Sequence, residues 1–191
     1  MSKILENPRA TFAVGLVVAI VIAVLRHGDQ LATLGYWAAI MRWIHVVSGV
    51  LWIGLLYYFN LVQIPSMPKI PDEQKPAIGK VIAPTALFYF RMAAATTVLF
   101  GLTTAHLNGY LGQALSFQTG AITIGIGMWL ALIMAFNVWF IIWPKQKIAL
   151  GIVEADADAK KKAARIAMLT SRTNTLLSIP MLYCMVLQKL A

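Results

Sequence analysis

Residues 36–65 read YWAAIMRWIHVVSGVLWIGLLYYFNLVQIP, with one Arg, one His and no Lys, Asp or Glu. A helix needs about 20 mainly apolar residues to cross roughly 30 Å of hydrocarbon, and this stretch exceeds that. Four further apolar runs lie at 10–25, 85–106, 120–143 and 175–187. The first and last are short and must borrow flanking residues to span. The expected fold is all-α: a polytopic transmembrane helical bundle of about five spans, forming one domain over residues 1–191.

Composition points the same way. The chain is 60% hydrophobic and only 12% charged, whereas a soluble domain carries about 45–50% apolar and roughly 25% charged residues. Too little polar surface exists to cover a soluble core, and a disordered chain or a nucleic-acid-binding domain is excluded. Cys184 is the only cysteine. It cannot form a disulfide framework, a CxxCH haem-attachment site or a multi-cysteine metal or iron–sulfur centre.

The net charge is +9, and its distribution gives it meaning. Lys3 and Arg9 precede the first run. Lys69, Lys75 and Lys80 lie between the second and third. Lys145, Lys147, Lys160, Lys161, Lys162, Arg165 and Arg172 lie between the fourth and fifth. These are twelve of the sixteen basic residues, and alternation puts all of them on one side. Arg26 and Lys189 fall on the other side, and residues 107–119 contain no Lys or Arg. The positive-inside rule then places the N-terminus in the cytoplasm and the C-terminus outside. The first run ends in Arg26-His27-Gly28-Asp29 rather than a small-x-small cleavage site, so a retained signal anchor is expected.

Pro65, Pro68, Pro71, Pro76 and Pro84 predict a short irregular connection over 64–84. Residues 107–119 read as a plain outer turn. Residues 155–169 are rich in helix formers, with Asp156–Lys160 and Asp158–Lys162 at i,i+4 spacing. They predict a helix lying along the membrane surface or extending the fourth span.

An ionisable residue inside a span is a candidate functional residue. All seven acidic residues, Glu6, Asp29, Asp72, Glu73, Glu154, Asp156 and Asp158, fall outside the runs. A carboxylate proton wire or di-iron site is therefore unsupported. Arg42, His45, Gly49 and Trp52 follow at i, i+3, i+7 and i+10, on one helix face. A neutral imidazole can ligate haem iron, Gly49 leaves room for a flat macrocycle, and Arg42 is placed to pair with a propionate. The same pattern also fits a histidine that hydrogen-bonds a neighbouring helix, with Gly49 allowing close packing. His106 is the candidate second ligand. A rise of 1.5 Å per residue puts it about 6 Å deep, against about 12 Å for His45. A water-facing role for His106 fits equally. At the other end, Asn60, Gln63, Arg91, Asn137 and Asn174 share a depth. Arg91, with Asn137 and Asn174, predicts either an amide-capped arginine tying helices together or a site for an anion.

The segments RWIHVVSGVLWIGLLYYFNLVQIP (42–65), ALFYFRMAAATTVLFGL (86–102), NVWFIIWPKQK (137–147) and SRTNTLLSIPML (171–182) occur in that order. Together they resemble the membrane domain of the urate oxidase N-terminal family, in which a C-terminal cytochrome c module is common. A more distant likeness, mainly around His45, is to haem-binding membrane proteins related to protoporphyrinogen oxidase and to copper-resistance membrane proteins. The resemblance implies a redox protein of the bacterial inner membrane. His45 is the best match to a haem-associated histidine, and Arg42, Arg91, Asn137 and Asn174 are the matching polar positions. With one cysteine and no CxxCH, this chain is expected to need a separate electron acceptor. Two functions follow as expectations. One is a haem b protein passing electrons to quinone or a cytochrome. The other is a non-catalytic accessory subunit packed, among lipid, against other membrane subunits.

Overall fold

The computed structural model describes residues 2–188, so Lys189 lies outside the described residues. No strand occurs among them. Four helices are long and apolar enough to cross a membrane: α1 (Pro8–Gln30), α2 (Leu34–Lys69), α3 (Lys75–Leu107) and α4 (Ile122–Ala149). A fifth long helix, α5 (Ala157–Leu187), completes the architecture. The chain divides into two units, residues 1–40 and 41–191.

In the first unit, the Asn7 side-chain oxygen accepts from the backbone N–H groups of Arg9 (3.0 Å) and Ala10 (3.3 Å). This caps the start of α1, beside a proline in the first turn where its missing N–H costs nothing. No residue of Pro8–His27 is buried. An apolar helix without a packed face is built for an apolar solvent.

The second unit has one continuous core. Trp52, Leu56 and Phe59 of α2 pack with Leu87, Phe90 and Ala94 of α3, Ala131, Met134 and Val138 of α4, and Met181 of α5. Phe59 and Phe90 meet edge to face at 5.6 Å between centroids. At Gly127 a Cβ would lie 3.0 Å from the Cβ of Cys184, so this glycine lets α4 and α5 approach closely. Gln188 ties the same two helices about one turn further, at the start of α4. Its amide oxygen accepts from Ile124 N at 2.8 Å, and its amide nitrogen donates to the Gly120 carbonyl at 3.0 Å.

The prolines of 64–84 do not produce the irregular connection that their number predicts. Pro65 and Pro68 lie within α2, Pro76 and Pro84 within α3, and only residues 70–74 interrupt the helices. Wide turns absorb Pro65 and Pro84, and Pro76 falls in the first turn of α3. Helical turns at Tyr58–Gln63, Ile78–Ile82 and Asn137–Ile142 are bonded i to i+5, and each ends two residues before a proline: Pro65, Pro84 and Pro144. A proline cannot donate to the carbonyl four residues back, and its ring crowds that carbonyl. Those carbonyls belong to Leu61, Lys80 and Phe140, each inside a widened turn where one extra residue relieves the crowding.

Two other expectations are revised. The charged helix predicted at 155–169 neither lies apart nor extends α4, because it runs without a break into the last apolar run as α5. Asp156 caps it, accepting from Ala159 N at 2.7 Å, and no Gly or Pro intervenes before Pro180. Residues 107–119 are more than a turn, since the short helix Leu111–Leu115 buries Ala114 against Ala105, Ala121 and Ile124.

Candidate functional site

Two groups of polar side chains lie within the second unit, one toward each end of the long helices. At the first, the His45 Nδ1 is 2.7 Å from the backbone carbonyl oxygen of Thr97 on α3. A carbonyl can only accept, so Nδ1 carries a proton, and in the neutral ring Nε2 is then the nitrogen with the lone pair. The ring can sit there because residue 101 has no side chain. A Cβ on Gly101 would fall 2.7 Å from both Cε1 and Nδ1 of His45. Gly49 is less confined, with a Cβ there meeting only Thr97 Cγ2 at 3.8 Å.

His45 lines a cavity of about 730 Å³, within the range of small-molecule sites. Arg42, Tyr110 and Gln188 contribute to one end of its wall, Gly49 and Thr97 to its side, and Trp52 and Tyr57 to the far end. The rest is mainly apolar, including the thioethers of Met128, Met181 and Met185. Arg42 is exposed, and its Nη2 donates to Asn108 Oδ1 at 3.5 Å. Burial pushes the Tyr110 phenol above its ordinary pKa, with the Arg42 charge acting in the opposite direction. His106, the candidate second ligand, is exposed and contributes nothing to the cavity wall. The structure therefore brings together Arg42, His45 and Gly49 but not His106. Among the described residues, no group of three or more His, Cys, Asp or Glu side chains is placed to hold a bare metal ion.

The second group is packed rather than open. Asn137 Nδ2 donates to Asn174 Oδ1 at 2.8 Å, and Asn174 Nδ2 donates to the Met134 carbonyl at 2.9 Å. Asn60 Nδ2 donates to the Leu56 carbonyl (2.9 Å) and to Ser171 Oγ (2.8 Å). Arg91 does not join the asparagines as expected. Its guanidinium carbon lies 3.4 Å from the centroid of the Trp143 ring, a cation–π contact. Its Nε and Nη1 are buried without hydrogen-bond partners among the described residues, as are Asn60 Oδ1 and Gln63 Oε1.

Thr97 and Gly101, which hold the His45 ring, are residues that the spacing of α2 could not reveal. Their only trace is an i,i+4 pair on one face of α3, within TTVLFGL.

Long apolar helices around a cavity with one imidazole held by a backbone carbonyl define the class: an all-α chain with four helices long and apolar enough to cross a membrane and a ligand-sized pocket. Residues 87–190 match the family model described as urate oxidase N-terminal, which is more than half of the chain. The chain belongs to the urate oxidase N-terminal family. The matched stretch contains Arg91, His106, Asn137 and Asn174, whereas Arg42, His45 and Gly49 precede it. No curated protein matches the chain, and no solved structure does.

Proposed function

We propose that the chain is a small membrane redox protein of the bacterial inner membrane that holds haem b through His45 and passes electrons to quinone or a cytochrome. The observation that carries the reading is the 2.7 Å contact from His45 Nδ1 to the Thr97 carbonyl. Haem-ligating and metal-ligating histidines are oriented in this way, with one nitrogen fixed by a backbone oxygen and the other left as the donor. The other residues fit the group as well. The cavity is mainly apolar and of suitable volume, Gly49 leaves its wall flat, and Arg42 supplies a cation for a propionate. When bound, haem supplies single-electron transfer. The chain's own residues set its environment: His45 donates the ligand nitrogen, Thr97 fixes the ring, Gly101 gives the ring space, and the apolar wall excludes water.

The test is a pyridine haemochrome assay on protein expressed with ample haem supply. Wild type should give a b-type spectrum near one haem per chain. His45→Ala should lose it entirely while remaining folded and inserted. A colourless wild type overturns the reading.

An accessory-subunit role is the second reading, and α1 favours it, since none of Pro8–His27 is buried and a partner helix would cover that surface. A colourless chain that co-purifies in fixed ratio with a larger membrane complex supports this alternative.

A further inference from the structure

We infer that the end of the cavity away from Arg42 is a binding site for a membrane quinone, whose ring carbonyl accepts the Trp52 indole hydrogen. The proposal rests on the electron-carrier reading for what the ligand is for, not for whether it binds.

Length is the first observation. Along α2 the cavity wall runs from Arg42 to Tyr57, about 22 Å at 1.5 Å per residue. His45 sits one turn from the start, so most of that length lies beyond it. The second observation is an unmatched donor. Trp52 lines this far part and is 0% exposed, yet its indole N–H has no acceptor among the described residues. A buried indole N–H normally finds a partner, and it can only donate. The missing partner is therefore an acceptor such as a carbonyl oxygen. Tyr57 gives no competing donor. Ser178 Oγ donates to the Thr175 carbonyl at 2.7 Å, so its 3.0 Å contact with the Tyr57 hydroxyl uses the phenolic hydrogen.

The route of entry gives the ligand's solubility. Val46, Val50, Leu182 and Val186 line the cavity flank and are 53%, 70%, 38% and 74% exposed. An opening edged by exposed valine and leucine on membrane-length helices admits a molecule dissolved in the apolar phase rather than one from water. A carbonyl that arrives through the apolar phase belongs either to a quinone ring or to a phospholipid ester, and competition between the two distinguishes them.

The experiment uses the full chain in phosphatidylcholine vesicles, titrated with decyl-ubiquinone and read by calorimetry, with haem content measured in parallel. Wild type should bind saturably in the presence of excess phospholipid. Trp52→Phe keeps the ring but removes the donor, and should bind about tenfold more weakly with unchanged haem content. Gly54→Leu fills the lobe, because a Cβ at Gly54 meets nothing within 4 Å, and it should abolish binding. Absence of saturable binding by wild type, or equal binding by wild type and both variants, overturns the proposal. Displacement of the quinone by added phospholipid also overturns it and assigns the lobe to lipid. If quinone binds in a Trp52-dependent way to a chain without haem, the site stands and the electron-carrier reading falls.

Discussion

The two polar regions of the second unit are built on opposite plans. Around His45 the polar groups are few and spread along the wall of an open cavity, with the imidazole held by a backbone carbonyl and Arg42 exposed beside it. Around Asn174 they are buried and bonded to one another, with aromatic and aliphatic side chains filling the gaps. Room beside a fixed, half-free imidazole is what a ligand site needs. A closed amide network without room gives helix register and stability instead. The difference assigns chemistry to one end and structure to the other, and substitutions at each end should separate the two properties.

The largest effect on stability is expected at Asn174. It is 0% exposed, accepts from Asn137 and donates to the Met134 carbonyl. Asn174→Ala leaves the half-buried Asn137 amide without its acceptor and removes one of the two donors to the Met134 carbonyl, which keeps the Asn137 backbone N–H, at about 1–3 kcal/mol for the lost amide pair. The thermal midpoint in detergent should fall by several degrees, while any haem signal per folded chain stays unchanged. Loss of haem without loss of stability would show that the two ends are not separate.

Next comes a pair of glycines, Gly49 marked by its spacing in the sequence and Gly101 marked only by the structure. Gly101→Ala places a Cβ 2.7 Å from the His45 ring, which must move off the Thr97 carbonyl. On the haem reading, haem content should fall by half or more. Gly49→Ala meets only a methyl at 3.8 Å, so it should fold normally and lose less haem. A larger loss of haem from Gly49→Ala than from Gly101→Ala would mean that the macrocycle lies against α2 more tightly than the ring lies against α3.

This contrast marks what could be read from the chain alone. The apolar runs and the face shared by Arg42, His45 and Gly49 depend on local order, so periodicity was sufficient for them. The Thr97 carbonyl carries no side-chain signature, and its meeting with His45 depends on how far α2 and α3 slide past one another. Gly101 is one small residue among many in an apolar chain, and only its neighbour across the interface distinguishes it. The prolines misled for a different reason. Proline counts argue against a helix only while every turn has the same width, and the i to i+5 turns before Pro65, Pro84 and Pro144 remove that premise. Charge pattern likewise marked 155–169 as helical, but it held no information on where the helix stops.

The smallest effect is expected at Arg91, where two opposing contributions decide the sign. Stacking on Trp143 at 3.4 Å stabilises the guanidinium by up to about 2 kcal/mol in a desolvated setting. Against that, Nε and Nη1 are buried without acceptors among the described residues, and each unmatched donor costs about 1–3 kcal/mol. The Asn137–Asn174 pair does not use Arg91, so removing the cation leaves that network intact. Arg91→Met keeps the volume along the Trp143 face and discards both the cation and its unmatched donors. The thermal midpoint in detergent should therefore stay the same or rise slightly. A fall of several degrees would mean that stacking on Trp143 outweighs the unmatched donors, and the cation itself would then be a structural tie at this end.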